Sequence, residues 1–380
     1  MHQIIFYPVG NGDTSQIILE SGKRILFDFR HLKNSETNDG PEINLKARLT
    51  DELEKAKKRS FEVVAFTHGD KDHIENSTEF FELLHANKYQ GKDRIRIDEL
   101  WVPAAMILDT AANDEQSDEF VIWRQEARYR LKEGKGVRVF SKPEKLKDWL
   151  TDNKLTVDSR KHMITDAGQT VPGFTLDNDG VEFFCHSPFI KHVDNNDDMR
   201  NEAALIFNIR FKKGDNTFDY LAIGDSEWSV LEDIVEITKY HKNTDRLSWD
   251  IYNIPHHCSY LSLSDEKGDD ETVPKASVKE LLLSGKQGAC LVSSSKPIED
   301  TSSSRKQEQP PHIQAKKCYE KYLKKVDGAK LLVTMEEPTT KKPEPIIFEI
   351  DSNGISRGGT IFGSGISIIT SRPAPRAGAK

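Results

Sequence analysis

The sequence has few cysteines and none of the paired spacings that mark structural zinc sites. Its four cysteines, Cys185, Cys258, Cys290 and Cys318, are far apart and form no C-x-x-C pair. This spacing argues against a zinc finger and against a disulfide framework. We therefore expect reduced thiols and a cytoplasmic protein.

Long apolar runs and a signal sequence are also missing. No stretch approaches the roughly 18 apolar residues that a membrane span needs. The N-terminus, MHQIIFYPVG, lacks a basic segment followed by an apolar one. The net charge of -8 argues against nucleic-acid binding over the whole surface, although one basic groove stays compatible with it. We expect no membrane association.

The chain of 380 residues is long enough for one large α/β domain or two small ones. Strand patterns alternate with helix patterns in both halves, which predicts two sheets with helices outside them. We predict one domain over residues 1–360, with an insertion or cap around 103–180. Residues 361–380 are expected to be a strand remnant and a disordered tail. A helix is predicted over Asn76–His85.

The densest chemical signal follows a predicted buried strand, Phe61–Phe66. The sequence Thr67-His68-Gly69-Asp70-Lys71-Asp72-His73 places four potential metal ligands within six residues. Neutral imidazole and ionised carboxylate bind divalent cations, and two carboxylates offset the charge of the cation. This motif predicts a metal site at a sheet edge.

Two weaker motifs share that setting. Asp225 follows a predicted strand over Phe218–Ile223, and His256 and His257 follow one over Ile251–Ile254. A Gly-Asp pair is a common turn, and adjacent histidines are often structural. Loops converge at the carboxyl ends of strands in layered α/β folds, so the three motifs are expected to meet.

Together these motifs resemble the metallo-β-lactamase superfamily, and within it the domain found in ComEC-type DNA-uptake proteins. His68 to His73 matches the H-x-D-x-D-H motif of that family, in which Asp replaces the second His of the wider superfamily. Other segments resemble its further motifs: Val9 to Asp13, Leu26 to Asp28, Asn201 to Phe207, Leu221 to Asp225, and Pro255 to Ser259. The resemblance implies an αββα sandwich of two mixed sheets flanked by helices.

The resemblance also implies roles in a centre with one or two divalent ions. His68 and Asp70 would bind one metal. Asp72 and His73 would bind the second, together with either His256 or His257. Asp225 would bridge the two, and Asp72 and His73 would be the catalytic pair, with Asp72 orienting the attacking water. Because Asp70 makes the site harder, we expect Mn²⁺ or Mg²⁺ to compete with Zn²⁺.

Some positions depart from the family pattern. Asn201 stands where many relatives have a ligand histidine, and Cys258 replaces a glycine. We place Lys71, Asn201, Cys258 and Ser259 among the substrate-binding residues. A mechanism with the Cys258 thiol as nucleophile is disfavoured. It would need the side chain of the adjacent His257 to pair with the thiol, and the side chains of adjacent residues rarely pair.

Two other residues keep alternatives open. Asp13 is interpreted as a turn residue or a support for the ligands. His312 is expected either to approach the site from its late loop or to be exposed at a helix start.

The resemblance to ComEC-type domains implies, as the favoured function, a metal-dependent phosphodiesterase or nuclease acting on DNA or RNA. One alternative is hydrolysis of a small ester, lactone or phosphate ester, since the fold alone does not fix the substrate. The other is a non-catalytic interaction subunit that has kept the fold. Protein partners are not indicated by the sequence.

Overall fold

The computed structural model describes residues 1–37, 40–109, 117–190, 203–357 and 360–362. Within these residues the strands form a ten-stranded sheet and a six-stranded sheet. Each sheet is mixed, with an antiparallel part and a parallel part. Apart from the end of the last strand, the expected tail over 361–380 lies outside the described residues.

The first sheet has the order β16-β15-β14-β1-β2-β3-β4-β5-β6-β7. Its parallel part runs from β3 to β7. Its strands are β1 His2–Phe6, β2 Ser15–Ile18, β3 Arg24–Phe27, β4 Ser60–Ala65, β5 Arg96–Pro103, β6 Val137–Phe140, β7 Ile164–Thr165, β14 Ile346–Asp351, β15 Gly354–Arg357 and β16 Thr360–Phe362.

The second sheet has the order β13-β12-β11-β10-β9-β8. Strands β10 to β13 are parallel, and β8 and β9 are antiparallel to their neighbours. Its strands are β8 Val181–Ser187, β9 Ile206–Lys213, β10 Asn216–Ile223, β11 Trp249–Ile254, β12 Gly285–Ser293 and β13 Lys330–Val333.

The α-helices pack on the outer faces of the two sheets. They are α1 Leu45–Lys55, α2 Lys71–Ile74, α3 Ala104–Leu108, α4 Asp118–Glu133, α5 Glu144–Asp152, α6 Val157–Arg160, α7 Trp228–Tyr240, α8 Ala276–Leu283 and α9 Ile313–Lys325. Local sequence explains their ends. In α4, for example, the Ser117 side chain accepts from the Phe120 amide, and Gly134 ends the helix with φ 75°.

Three apolar clusters fill the layers. The cluster between the sheets includes Phe27, Trp101, Phe207 and Tyr220. A second cluster lies under the helices on the first sheet, and a third lies under those on the second sheet. These layers confirm the αββα sandwich expected from the alternation of strands and helices.

Two regions show where the sequence pattern is ambiguous. The predicted helix over Asn76–His85 is wrong: only Ser77–Glu79 forms a short 3₁₀ turn, and Phe81 pairs with Ile95 as an isolated β-bridge. Burial of Phe80 and Phe81 against the first sheet overrides the local preference. In the region around 103–180, residues 137–140 and 164–165 add two strands to the same sheet.

Within the described ranges, no helix combines the length and the apolar character that crossing a membrane requires.

Candidate metal centre

The three motifs meet at the carboxyl ends of parallel strands. Thr67 and His68 follow β4, Asp225 follows β10, and His257 follows β11. Asp28 follows β3, the neighbour of β4. The site therefore lies at one edge of the sandwich, where loops from both sheets converge.

Four of the predicted ligands form one cluster. Ligand atoms of Asp72, His73, Asp225 and His257 all lie within 4.8 Å of one another. The Nε2 atom of His73 is 3.2 Å from Asp225 Oδ1. The Nε2 atom of His257 is 3.0 Å from Asp72 Oδ2 and 3.4 Å from Asp225 Oδ2. This donor set of two carboxylates and two imidazoles suits a divalent cation.

Hydrogen bonds orient the two imidazoles of this cluster. His73 Nδ1 donates to Asp28 Oδ2 over 2.7 Å, and His257 Nδ1 donates to the Ser294 carbonyl over 2.8 Å. In each ring the Nδ1 proton is used, so Nε2 faces the cluster. Metal-binding histidines usually show this arrangement.

A left-handed turn selects His257 over His256. His256, His257 and Cys258 have φ values of 51°, 51° and 66°, a conformation that costs non-glycine residues energy. The turn buries His257, whereas the His256 side chain stays 20% exposed. The Nε2 atom of His256 is 3.9 Å from Asp225 Oδ2, so His256 lies at the rim.

His68 and Asp70 lie beside the cluster. His68 is buried, and its ring centroid is 3.9 Å from that of His73. Its Nε2 atom is 3.7 Å from Asp70 Oδ2, and the Asp70 side chain is 30% exposed. This pair lies between the cluster and solvent.

The site has strong internal electrostatics. Burial disfavours the charged form of His73, yet the charges of Asp225 and Asp28 raise its pKa well above the usual value. Burial also opposes the charge on Asp225, but His257 and His73 lower its pKa well below normal. Burial raises the pKa of Asp13 to about 6. The carboxylates and imidazoles of the cluster thus shift one another's pKa values in opposite directions.

Orphaned atoms test whether a cation fits. His68 Nε2, His73 Nε2 and Asp225 Oδ1 are buried and have no hydrogen-bond partner among the described residues. Burying such atoms without a partner costs about 1–3 kcal/mol each. All three belong to the same group of predicted ligands, and a divalent cation would satisfy them. The residues therefore fit a metal.

The predicted substrate-binding residues are dispersed. Lys71 is 73% exposed, with Nζ 3.4 Å from Glu75 Oε1. Cys258 is fully buried, its thiol 3.9 Å from the His312 carbonyl, and burial raises its pKa. Ser259 is buried, with its hydroxyl oxygen accepting from the Leu261 amide. Cys258 and Ser259 therefore offer no open surface to a substrate.

Asn201, the position that departs from the family pattern, lies outside the described residues. The nearby cations Lys191 and Arg200 lie there as well.

His312 is not exposed and is not free to bind a metal. Its side chain is buried, Nδ1 accepts from the Tyr260 amide over 3.3 Å, and Nε2 donates to the Glu308 carbonyl over 3.2 Å. The alternative of an exposed helix-start histidine is wrong, because the residue joins two loops beneath the His256 turn. Its ring contacts Tyr260 edge-on at 5.0 Å.

Asp28 and Thr67 stand within motifs quoted from the sequence, but neither residue was predicted to have a role in the site. Asp28 accepts from the Thr67 amide, the Thr67 hydroxyl and His73 Nδ1, each over 2.7 Å. The available signal was positional, since Asp28 ends β3 just as His68 follows β4. A carboxylate at the end of a neighbouring parallel strand lies at the same sheet edge.

Comparisons with known proteins find only distant structural likeness. No protein-family model and no curated protein sequence matches the chain. Among solved structures, a quorum-quenching N-acyl homoserine lactone lactonase is 10% identical, with a TM-score of 0.33, covering 64% of this chain and 88% of that one.

Two metallo-β-lactamases are similarly distant. GOB-18 from Elizabethkingia meningoseptica is 13% identical, with a TM-score of 0.30 and coverage of 85% and 86%. The class B3 di-zinc enzyme LRA-12 from an Alaskan soil metagenome is 12% identical, with a TM-score of 0.31 and coverage of 85% and 90%. At these values the chain's own layers and strand order carry the fold assignment.

Proposed function

We propose that the protein is a metal-dependent hydrolase whose centre is built on Asp72, His73, Asp225 and His257. The observation that carries this proposal is the convergence of four ligand atoms within 4.8 Å, with buried nitrogen and oxygen atoms that have no hydrogen-bond partner among the described residues. A non-catalytic subunit would have no need to keep such a costly arrangement.

The residues divide into those that would hold the cation and those that would face the substrate. His73, His257 and Asp225 are buried and fixed by neighbouring groups, so they would hold the cation. A bound divalent cation supplies Lewis acidity and makes water nucleophilic at neutral pH. Asp72 is 33% exposed, so its carboxylate can orient an attacking water and accept its proton.

The substrate that we propose is a nucleic-acid phosphodiester. Support comes from the sequence resemblance to ComEC-type domains and from the exposed Lys71 inside the metal motif, which can approach a phosphate. The net charge of -8 opposes binding of a long duplex surface. A short single-stranded segment or a chain end needs contacts from only a few lysine or arginine side chains. Such a substrate is therefore the most compatible with the negative net charge.

An activity panel tests this proposal. Purified protein would be loaded with Mn²⁺, Zn²⁺ or Mg²⁺ and given single-stranded DNA, duplex DNA, RNA, a chromogenic phosphodiester and a lactone. We expect cleavage of nucleic acid that falls as salt rises and falls further in Lys71→Ala. Lys145→Ala, which removes an exposed lysine on α5, is the matched control and should leave activity unchanged.

Other outcomes would redirect the assignment. Turnover of the lactone but of no nucleic acid, lost in Asp72→Ala, would move the assignment to small esters. Less than about a tenth of an equivalent of metal after reconstitution would contradict the enzyme proposal itself.

A further inference from the structure

The hydroxyl of Thr67 lies at the centre of a buried hydrogen-bond network. Its Oγ1 atom is 2.7 Å from Asp28 Oδ2, 3.1 Å from His68 Nδ1 and 3.3 Å from His73 Nδ1. Thr67 is 6% exposed and Asp28 is 1% exposed. One hydroxyl therefore contacts a carboxylate and both histidines of the metal motif.

The donor and the acceptor in each of these hydrogen bonds follow from which groups carry a proton. An ionised carboxylate only accepts, so the single hydroxyl proton of Thr67 goes to Asp28. The oxygen of Thr67 is then an acceptor toward His68 Nδ1, which must donate. His73 Nδ1 donates to Asp28 directly over 2.7 Å. Both rings thus carry a proton on Nδ1, and both Nε2 atoms face the site.

Packing fixes the Thr67 side chain in this position. The Thr67 amide donates to Asp28 Oδ1 over 2.7 Å, and its carbonyl accepts from the Leu205 amide over 2.9 Å. A Cβ on Gly224 would lie 2.8 Å from Thr67 Oγ1, so Gly224 leaves just enough room for the hydroxyl. A larger residue at position 224 would therefore clash with Thr67, the first residue of the histidine motif.

We propose that Thr67 is a positioning residue that transmits the charge of Asp28 to His68 and so sets the tautomer of that ring. The inference rests on the proposed metal centre. Among the hydrogen bonds of the described residues, His73 bonds to Asp28 directly, whereas His68 is linked to Asp28 through Thr67. Loss of the hydroxyl should then affect the His68 side of the centre and spare the His73 side.

The first test measures tautomers in the metal-free protein by long-range ¹H–¹⁵N NMR at pH 8. In the wild type, His68 is expected to carry its proton on Nδ1. In Thr67→Val, which keeps the shape but lacks the hydroxyl, His68 should shift toward the Nε2-protonated form. Thr67→Ser should behave like the wild type.

The second test measures metal binding by titration and elemental analysis. Loss of an outer hydrogen bond to a ligand typically weakens metal binding by about 10–100-fold. We expect Thr67→Val to lose this much affinity at one of two positions and Thr67→Ser to lose little. The His73 position should stay occupied in both variants.

The outcomes separate this inference from the metal proposal. A wild-type His68 protonated on Nε2 would overturn the role of Thr67 even if no variant folds. A Thr67→Ser protein as impaired as Thr67→Val would show that the effect is not specific to the hydroxyl and would also overturn the inference. Wild type with Nδ1-protonated His68 but no metal binding would keep the network and contradict the proposed centre.

Discussion

The contact between Gly69 and Phe120 makes the metal loop sensitive to a single methyl group. A Cβ at position 69 would lie 2.1 Å from Cδ2 and Cε2 of Phe120. Ordinary carbon contacts are about 3.5–4.0 Å, so the ring must move by about 1.5 Å. Phe120 is 4% exposed in the first turn of α4, so the ring can move only into packed neighbours.

We therefore expect Gly69→Ala to destabilise the protein by about 1–3 kcal/mol, the usual cost of overpacking. An unfolding entropy of about 2.1 cal/mol/K per residue gives about 0.8 kcal/mol/K for 380 residues. The melting temperature should fall by about 1–4 °C. Metal binding should also weaken, because the predicted ligands His68 and Asp70 flank residue 69.

The assay is thermal unfolding of metal-free protein followed by circular dichroism, with metal titration in parallel. Phe120→Leu alone and combined with Gly69→Ala completes a double-mutant cycle. The free energy of unfolding of the double variant should be about 1 kcal/mol higher than the two single changes predict when added, since the smaller side chain at position 120 removes the clash. Strict additivity, or an unchanged melting temperature in Gly69→Ala, would refute the reasoning.

Further predictions concern the ligands, the thiol and a remote carboxylate. A cation at 100 times its Kd stabilises the protein by about 2.7 kcal/mol and should raise the melting temperature by about 3 °C. His257→Gln should lose this rise. The control His186→Gln changes a buried histidine away from the cluster and should keep it. Asp72→Ala should abolish hydrolysis with the fold retained, whereas Cys258→Ala should keep most activity; equal loss in both would restore a thiol mechanism. Burial opposes the charge of Glu126, but its bonds to His85 and Arg130 lower its pKa from 4.5 to about 2. The stabilisation that Glu126 contributes is complete above about pH 4.5 and disappears toward pH 2. The loss of unfolding free energy over that range, measured by urea unfolding, should therefore be about 3 kcal/mol smaller in Glu126→Gln than in the wild type.

The sequence was sufficient for the architecture because apolar patterning is directly visible in it. The strands before His68, Asp225 and His257 were predicted from β-branched and aromatic runs, and each one is present. Their convergence followed from a general property of parallel strands. The helix predicted over Asn76–His85 failed because tertiary burial decides the conformation of short apolar segments.

The finer parts of the site depend on backbone geometry that no pattern reveals. Choosing between His256 and His257 required the left-handed turn, which non-glycine residues rarely form. The role of Asp28 depended on β3 lying next to β4, a pairing between segments far apart in sequence. Local sequence can name ligands, but it cannot name the groups that orient them.

The cluster draws its ligands from both halves of the chain. Asp72 and His73 come from the segment before residue 190, and Asp225 and His257 come from the segment after residue 203. Strand β1 also pairs with β14, so the two halves share a sheet. A protein cut between residues 190 and 203 would place half of the ligands on each fragment. Cation binding would then depend on fragment concentration, and added metal would act as the agent that reassembles two inactive pieces.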